Sequence, residues 1–161
     1  MLKLSFFTLF FLLNVCSYAF DPSVRDISIE SENLNIDIQA KKADFFDKVI
    51  VKQDNIKIST DKLTLFFQNK KIEKIDFFNN VKLQIFDKLI LGDRAEYTKN
   101  NNILKIIDNV KYKSDNNEIT GDIFTYNFKT KISKLSSKKE GNKKIKGRIK
   151  AKFKINKNVS S

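Results

Sequence analysis

The sequence predicts an all-β fold of two facing layers, a jelly roll or a sandwich. Three observations carry this. Apolar residues alternate with polar ones in short runs from Asp26 to Leu135, as in Val49-Ile50-Val51, Ile56-Lys57-Ile58 and Val81-Lys82-Leu83-Gln84-Ile85. No stretch sustains a helical period. The breaks are built from Asn, Asp and Lys, as in Phe78-Asn79-Asn80, Lys99 to Asn102 and Asp115-Asn116-Asn117, and Asn accepts the left-handed backbone of a tight turn where glycine is scarce. Finally, one unit recurs three times. Val49, Val81 and Val110 each begin a strand, followed nine residues on by Ile58, Ile90 and Ile119 and twelve on by Asp61, Asp93 and Asp122. Each copy supplies an apolar face that it cannot cover alone, so stacked copies fold two layers over each other.

Composition sets the class of function. With 161 residues, 41% hydrophobic and 12% aromatic, the chain has apolar surface for one domain core. It has no His, no Trp, one Cys and four Gly. Imidazole acid/base chemistry, Cys/His metal sites and glycine-rich phosphate loops are thereby removed, and the reading is a non-enzyme without cofactor or metal.

Taken in order, residues 1–19 have a single Lys3, an apolar run from Leu4 to Val15 and Ser17-Tyr18-Ala19, the layout of an export signal cleaved after Ala19. The run is short of the roughly 20 residues of a spanning helix. Uncleaved, the segment would be a membrane anchor. Cys16 falls within it, so the mature chain would carry no thiol, in keeping with a periplasmic domain that is not disulfide-stapled.

The β domain, residues 20–135, opens with Ile27 and Ile29, then Ile36 and Ile38, each pair at strand spacing. Val49 and Val51 follow, and Ile58 pairs with Leu63 and Leu65 of the same copy. The second copy gives Val81, Leu83 and Ile85, then Ala95 and Tyr97. The third gives Tyr112, then Phe124, Tyr126 and Phe128. Alternation turns these residues to one inward face, with Asp37, Thr64, Lys82 and Thr125 as outward neighbours. The stripe suits the core of a closed sandwich or, if the sheets splay, a groove for acyl chains. Asp44, Asp61, Asp93, Glu96 and Asp122 are the carboxylates available for paired acid/base work, but none has a companion base or nucleophile. The three repeat aspartates read as turn or strand-end residues bonding local backbone amides.

Residues 136–161 hold ten of the Lys and Arg residues and one acid, Glu140. This is +9 of the chain's +12; removing Lys3 as well leaves about +2 for residues 20–135. From Ile145 to Ile155 cations alternate with apolar or small residues, as in an edge strand with one cationic face. Arg148, Lys150 and Lys152 are candidate phosphate contacts, or guards of an exposed edge. Only Phe153 interrupts the cations as an aromatic, which argues against nucleic acid as a partner.

Several segments together resemble a known family. Ile27-Ser28-Ile29-Glu30-Ser31, Ile36-Asp37-Ile38-Gln39 and Ala43 to Gln53 look like the opening of the OstA-like proteins. Leu91-Gly92-Asp93-Arg94-Ala95-Glu96-Tyr97 and Ile119-Thr120-Gly121-Asp122-Ile123-Phe124-Thr125-Tyr126 look like their recurring G-D-x-x-x-Y strand. Asp47-Lys48 stands where the family commonly has Gly-Asn. The resemblance implies an open, V-shaped antiparallel β jelly roll whose apolar groove takes the lipid A acyl chains of lipopolysaccharide. It also implies a bridge role of the LptA type in the periplasm, with head-to-tail self-association by edge strands. The partners implied are an LptC-type protein at the inner membrane and an LptD-type protein at the outer membrane. If residues 1–19 are retained, the LptC-type role becomes the alternative. A cationic β module for acidic glycan or nucleic acid is the alternative of another class.

Overall fold

A computed structural model describes residues 26–115, 117–138 and 148–153. The predicted signal segment, its cleavage site and much of the basic tail lie outside the described residues. The alternating runs form ten strands: β1 (Ser28–Glu30), β2 (Asn33–Asp37), β3 (Lys42–Gln53), β4 (Ile56–Gln68), β5 (Lys71–Ile85), β6 (Lys88–Thr98), β7 (Ile103–Ser114), β8 (Asn117–Asn127), β9 (Ser133–Ser136) and β10 (Lys150–Lys152). From β3 to β8 each strand pairs antiparallel with the next. β1 and β2 both pair with β3 at one edge, and β9 and β10 both pair with β8 at the other. The two edges do not pair with each other, so the sheet is open.

The strands from β3 to β8 are long, and each is interrupted at one shared level; the β4–β5 ladder shifts once more, between Phe66 and Phe67. The ladder shifts register between Phe46 and Val49, Ser59 and Lys62, Phe78 and Val81, Leu91 and Arg94, and Ile107 and Val110. On β3, β5 and β7 the interruption is a pair of left-handed residues, Asp47-Lys48, Asn79-Asn80 and Asp108-Asn109. Opposite them on β4, β6 and β8 stand Asp61, Asp93 and Asp122. These irregularities are bulges, which bend and twist a strand without ending it. They line up across the sheet as one crease, and β1 and β10 flank one side of it while β2 and β9 flank the other.

The crease corrects three sequence expectations. Asn79-Asn80 is not a break between strands, because β5 runs on through it. Val49, Val81 and Val110 do not begin strands; each is the first residue beyond the crease within one. The repeat aspartates are not at strand ends either. Asn80 Nδ2 donates to Asp61 Oδ2 at 2.7 Å and Asn109 Nδ2 to Asp93 Oδ2 at 2.6 Å, while only Asp122 takes a backbone amide, that of Lys138, at 2.9 Å. Each aspartate thus ties its strand to the facing bulge, or to the chain crossing beside it.

Folding at the crease brings the two halves of the sheet face to face. Leu63, Phe77 and Ile106 from one half and Val49, Leu83 and Val110 from the other are at most 1% exposed and belong to one cluster. A lone sheet layer cannot shield one face so completely, so each half is the other's cover. Tyr112 of one half stacks with Phe124 of the other at 6.4 Å. Inward residues on β4 change phase across Asp61, from Ile56, Ile58 and Thr60 to Leu63, Leu65 and Phe67, and the bulge is what keeps both sets on one face. Gly92 lies beside the crease where an added Cβ would stand 2.3 Å from Ile106 Cγ2, and one on Gly121 would stand 2.7 Å from Ile149 Cδ1. Threonine takes that place in the first copy. The Thr60 hydroxyl lies 2.8 Å from the carbonyl oxygens of both Phe78 and Asn79 and donates toward them.

Candidate functional site

The inner face is graded. Next to the crease the side chains are sealed. One or two positions further along each strand they become half-buried: Phe67, Ile72, Tyr97, Tyr126 and Phe128 in one layer, and Ile29, Ile56, Ile85 and Tyr112 in the other. Burial that falls steadily with distance from a fold line describes two sheets splayed in a V, with the hairpin turns of both layers as its lips. The aromatics cluster toward the open side, where Tyr97 and Tyr126 meet Phe128 edge-on at 5.6 and 5.0 Å. Burial raises the pKa of the Tyr97 phenol, and its hydroxyl donates to Asn102 Oδ1 at 3.2 Å. Tyr97 therefore presents a wide apolar body with its polar tip turned to the lip.

The sequence-derived site residues divide along this gradient. Val49, Val51, Ile58, Leu63, Leu65, Val81, Leu83 and Phe124 are core, none more than 6% exposed. Ile29, Ile85, Tyr97, Tyr112, Tyr126 and Phe128 line the part of the cleft that opens. Ile36 and Ile38 are 62% and 85% exposed and Ile27 is 37% exposed, so these three lie outside the packed stripe. Ile36 faces inward all the same, since it sits directly opposite buried Ala43, as Leu34 sits opposite Phe45. Both are uncovered because β2 is the last strand on its side. Sequence reasoning passed over Ile56, Phe67 and Ile72, which the bulge phase and the hairpin ends bring onto the cleft wall.

The outward faces are mixed, with polar rows beside apolar residues such as Phe46 and Phe78. Asp44, Thr64, Asp76, Glu96, Lys105 and Thr125 form one row across the strands by register. Thr64 is outward, as the alternation indicates, yet it is 5% exposed, and Asp44 beside it is 7% exposed. Thr64 Oγ1 donates to Asp44 Oδ1 at 2.6 Å, with Lys42 Nζ 3.5 Å from the other carboxylate oxygen. The Thr64 hydrogen bond first, and the charges of Lys42 and Lys62 after it, hold Asp44 below the usual carboxylate range. Lys62 lies over the rings of Phe46 and Phe78 at 5.2 and 5.7 Å. Among the described residues no cluster of acids, Cys or His is arranged to hold a metal. Lys150 and Lys152 pair opposite Thr120 and Glu118, on the outer face of their layer, and Arg148 is exposed beside them.

Comparison with known proteins agrees with this architecture. The family described as LptA/(LptD N-terminal domain) LPS transport protein matches residues 28–132. An uncharacterized protein, RP507, of Rickettsia prowazekii (strain Madrid E) is 31% identical over 97 residues, covering 56% of this chain and 67% of the relative. The crystal structure of LptH of Pseudomonas aeruginosa, described as the LptA-homologous periplasmic component of the lipopolysaccharide transport device, superposes with a TM-score of 0.68. It is 17% identical over 81% of this chain and 96% of LptH, a likeness of fold. With the family match spanning most of the crease-folded sheet, this chain belongs to the LptA/LptD N-terminal-domain family of lipopolysaccharide transport proteins, a family of transport components and not of enzymes.

Proposed function

We propose that the protein carries lipopolysaccharide across the periplasm, with lipid A acyl chains lying in the open part of the cleft, and that units join edge to edge as a bridge between an LptC-type and an LptD-type partner. The graded burial of the inner face is the observation that carries this reading. A plain sandwich would be sealed at both ends of its strands, whereas here Ile85, Tyr97, Tyr126 and Phe128 are left half-covered beside the mouth. Burying a chain of a dozen methylenes at ~0.8 kcal/mol each contributes on the order of 10 kcal/mol before ordering costs. At the edge, Leu34 and Ile36 expose apolar surface on the inward face of β2, where a second sheet would continue both the ladder and the cleft.

Photo-crosslinking groups test the cleft. Placed at Ile85, Tyr97 and Tyr126 they are expected to capture lipopolysaccharide, while groups at the adjacent Gln84, Glu96 and Thr125 are not, since successive strand residues point to opposite faces. Equal capture from both faces, or capture abolished by moderate salt, would instead indicate a cationic surface module.

A further inference from the structure

The two lips of the cleft differ in charge. Four hairpins close the layer that contains Tyr97 and Tyr126, and each bears an exposed lysine: Lys41, Lys70, Lys99 and Lys129. They recur at intervals of 29, 29 and 30 residues (70 − 41, 99 − 70, 129 − 99). Successive hairpins on one side of a meander are two strands apart, so the lysines form a row spaced by roughly 9.5 Å. Among the described residues none of these four side chains makes an ion pair or hydrogen bond. Two acids beside these hairpins are hydrogen-bonded locally: Asp37 Oδ1 accepts from the Ala40 N–H at 2.8 Å, and the Gln68 amide, in its hydrogen-bonding orientation, donates to Glu73 Oε2 at 3.1 Å. The facing lip is different. Its turns hold Asp54, Asp87 and Asp115, and exposed Lys52, Lys57, Lys88 and Lys113 stand beside them, so its charge is mixed.

We infer that the lysine lip binds the phosphate groups of a lipid headgroup while the acyl chains occupy the cleft. The ligand would then enter in a single orientation, with its phosphates on the Lys41–Lys129 side. This deepens the carrier reading and rests on it. Lysine suits the task because its compact ammonium on a flexible stem meets a phosphate without demanding one fixed geometry. The position is also distinct from Arg148, Lys150 and Lys152, which the fold places at the outer face of the other layer.

The test measures binding of the full chain to bisphosphorylated and to dephosphorylated lipid A. Two variants each remove the same charge: Lys41→Gln/Lys70→Gln/Lys99→Gln/Lys129→Gln on the lip, and Lys57→Gln/Lys82→Gln/Lys111→Gln/Lys134→Gln on the outer face. The lip variant is expected to lose roughly tenfold or more in affinity for the bisphosphorylated lipid. Its affinity for the dephosphorylated lipid should stay within about threefold, and the outer-face variant should stay near wild type for both. Equal loss in the two variants would reduce the effect to net charge and overturn the lip, and so would displacement of the lipid by excess inorganic phosphate, which would mark a site for free phosphate. A wild-type chain that binds both lipids equally keeps the carrier reading and overturns the lip alone. One that binds neither overturns both. Circular dichroism of each variant, matched to wild type, excludes misfolding as the cause.

Discussion

At the scale of single residues, two substitutions separate packing from charge. Gly92 has no room for a side chain because Ile106, fully buried, already fills the place of its Cβ. Gly92→Ala is expected to cost about 1–3 kcal/mol in urea unfolding, the range for overpacking a core. In an Ile106→Ala background the added cost should shrink, since the clashing methyl is gone; full additivity would show that the glycine is needed for another reason. Asp44 gives the pH prediction. Its folded pKa is lowered, so it stabilises the protein above the ordinary carboxylate range, and that stabilisation fades as pH falls through the folded value. Thr64→Val should cost about 1–2 kcal/mol at neutral pH and progressively less in acid. Asp44→Asn should flatten the acid limb of the stability curve. If Thr64→Val were equally costly at pH 3 and pH 7, the hydrogen bond to the carboxylate would not be its source.

At the scale of elements, the crease is the device that turns a flat meander into two layers. Paired left-handed residues bend β3, β5 and β7, and an aspartate on the facing strand fixes two of the bulges through an Asn side chain. Asn80 has φ 51°, a conformation that disfavours β-branched residues and costs glycine nothing. Asn80→Val should therefore destabilise by about 1–2 kcal/mol, whereas Asn80→Gly should lose little beyond its bond to Asp61, with denaturant midpoints as the readout. A valine tolerated as well as glycine would mean that the bulge is not held left-handed. Asp47-Lys48 takes φ values of 61° and 50°. Asn33 Nδ2 donates to Asp47 Oδ2 at 2.9 Å and supports this backbone.

At the scale of the whole molecule, the open sheet has two unlike edges, and assembly would join one to the other. At one edge β2 presents Leu34 and Ile36 on the inward face, while β9 and β10 flank β8 at the far side. Leu34→Asp with Ile36→Asp should leave the fold intact, because both side chains are already exposed, and should remove the concentration dependence of mass in light scattering. Deleting residues 136–161 also removes β10, the Lys138 amide on Asp122 and Ile149 over Gly121. That truncation is expected to loosen β8 as well as weaken assembly. An unchanged association curve for the Leu34/Ile36 variant would place the interface elsewhere.

The alternation of apolar residues, the threefold repeat and the signature around Gly92-Asp93 and Gly121-Asp122 were sufficient by themselves to determine an all-β chain, the buried members of the inward stripe from Val49 to Phe124 and the family it resembles. Those features are local, since a strand's period of two and a family's spacing are written along the chain. What Asn79-Asn80 does was not local. The same pair closes a hairpin or bends a strand, and β5 continues through it because β4 and β6 pair with both of its halves. Tertiary structure likewise decided which inward residues are sealed. Leu83 and Ile85 share a face and a strand, but Leu83 lies near the crease, where the layers converge, and Ile85 lies near the mouth, where they part. The charge of the lips belongs to the same class. Lys41 and Lys129 are 88 residues apart in sequence (129 − 41) and stand in one row only because every second hairpin of a folded meander ends on the same side.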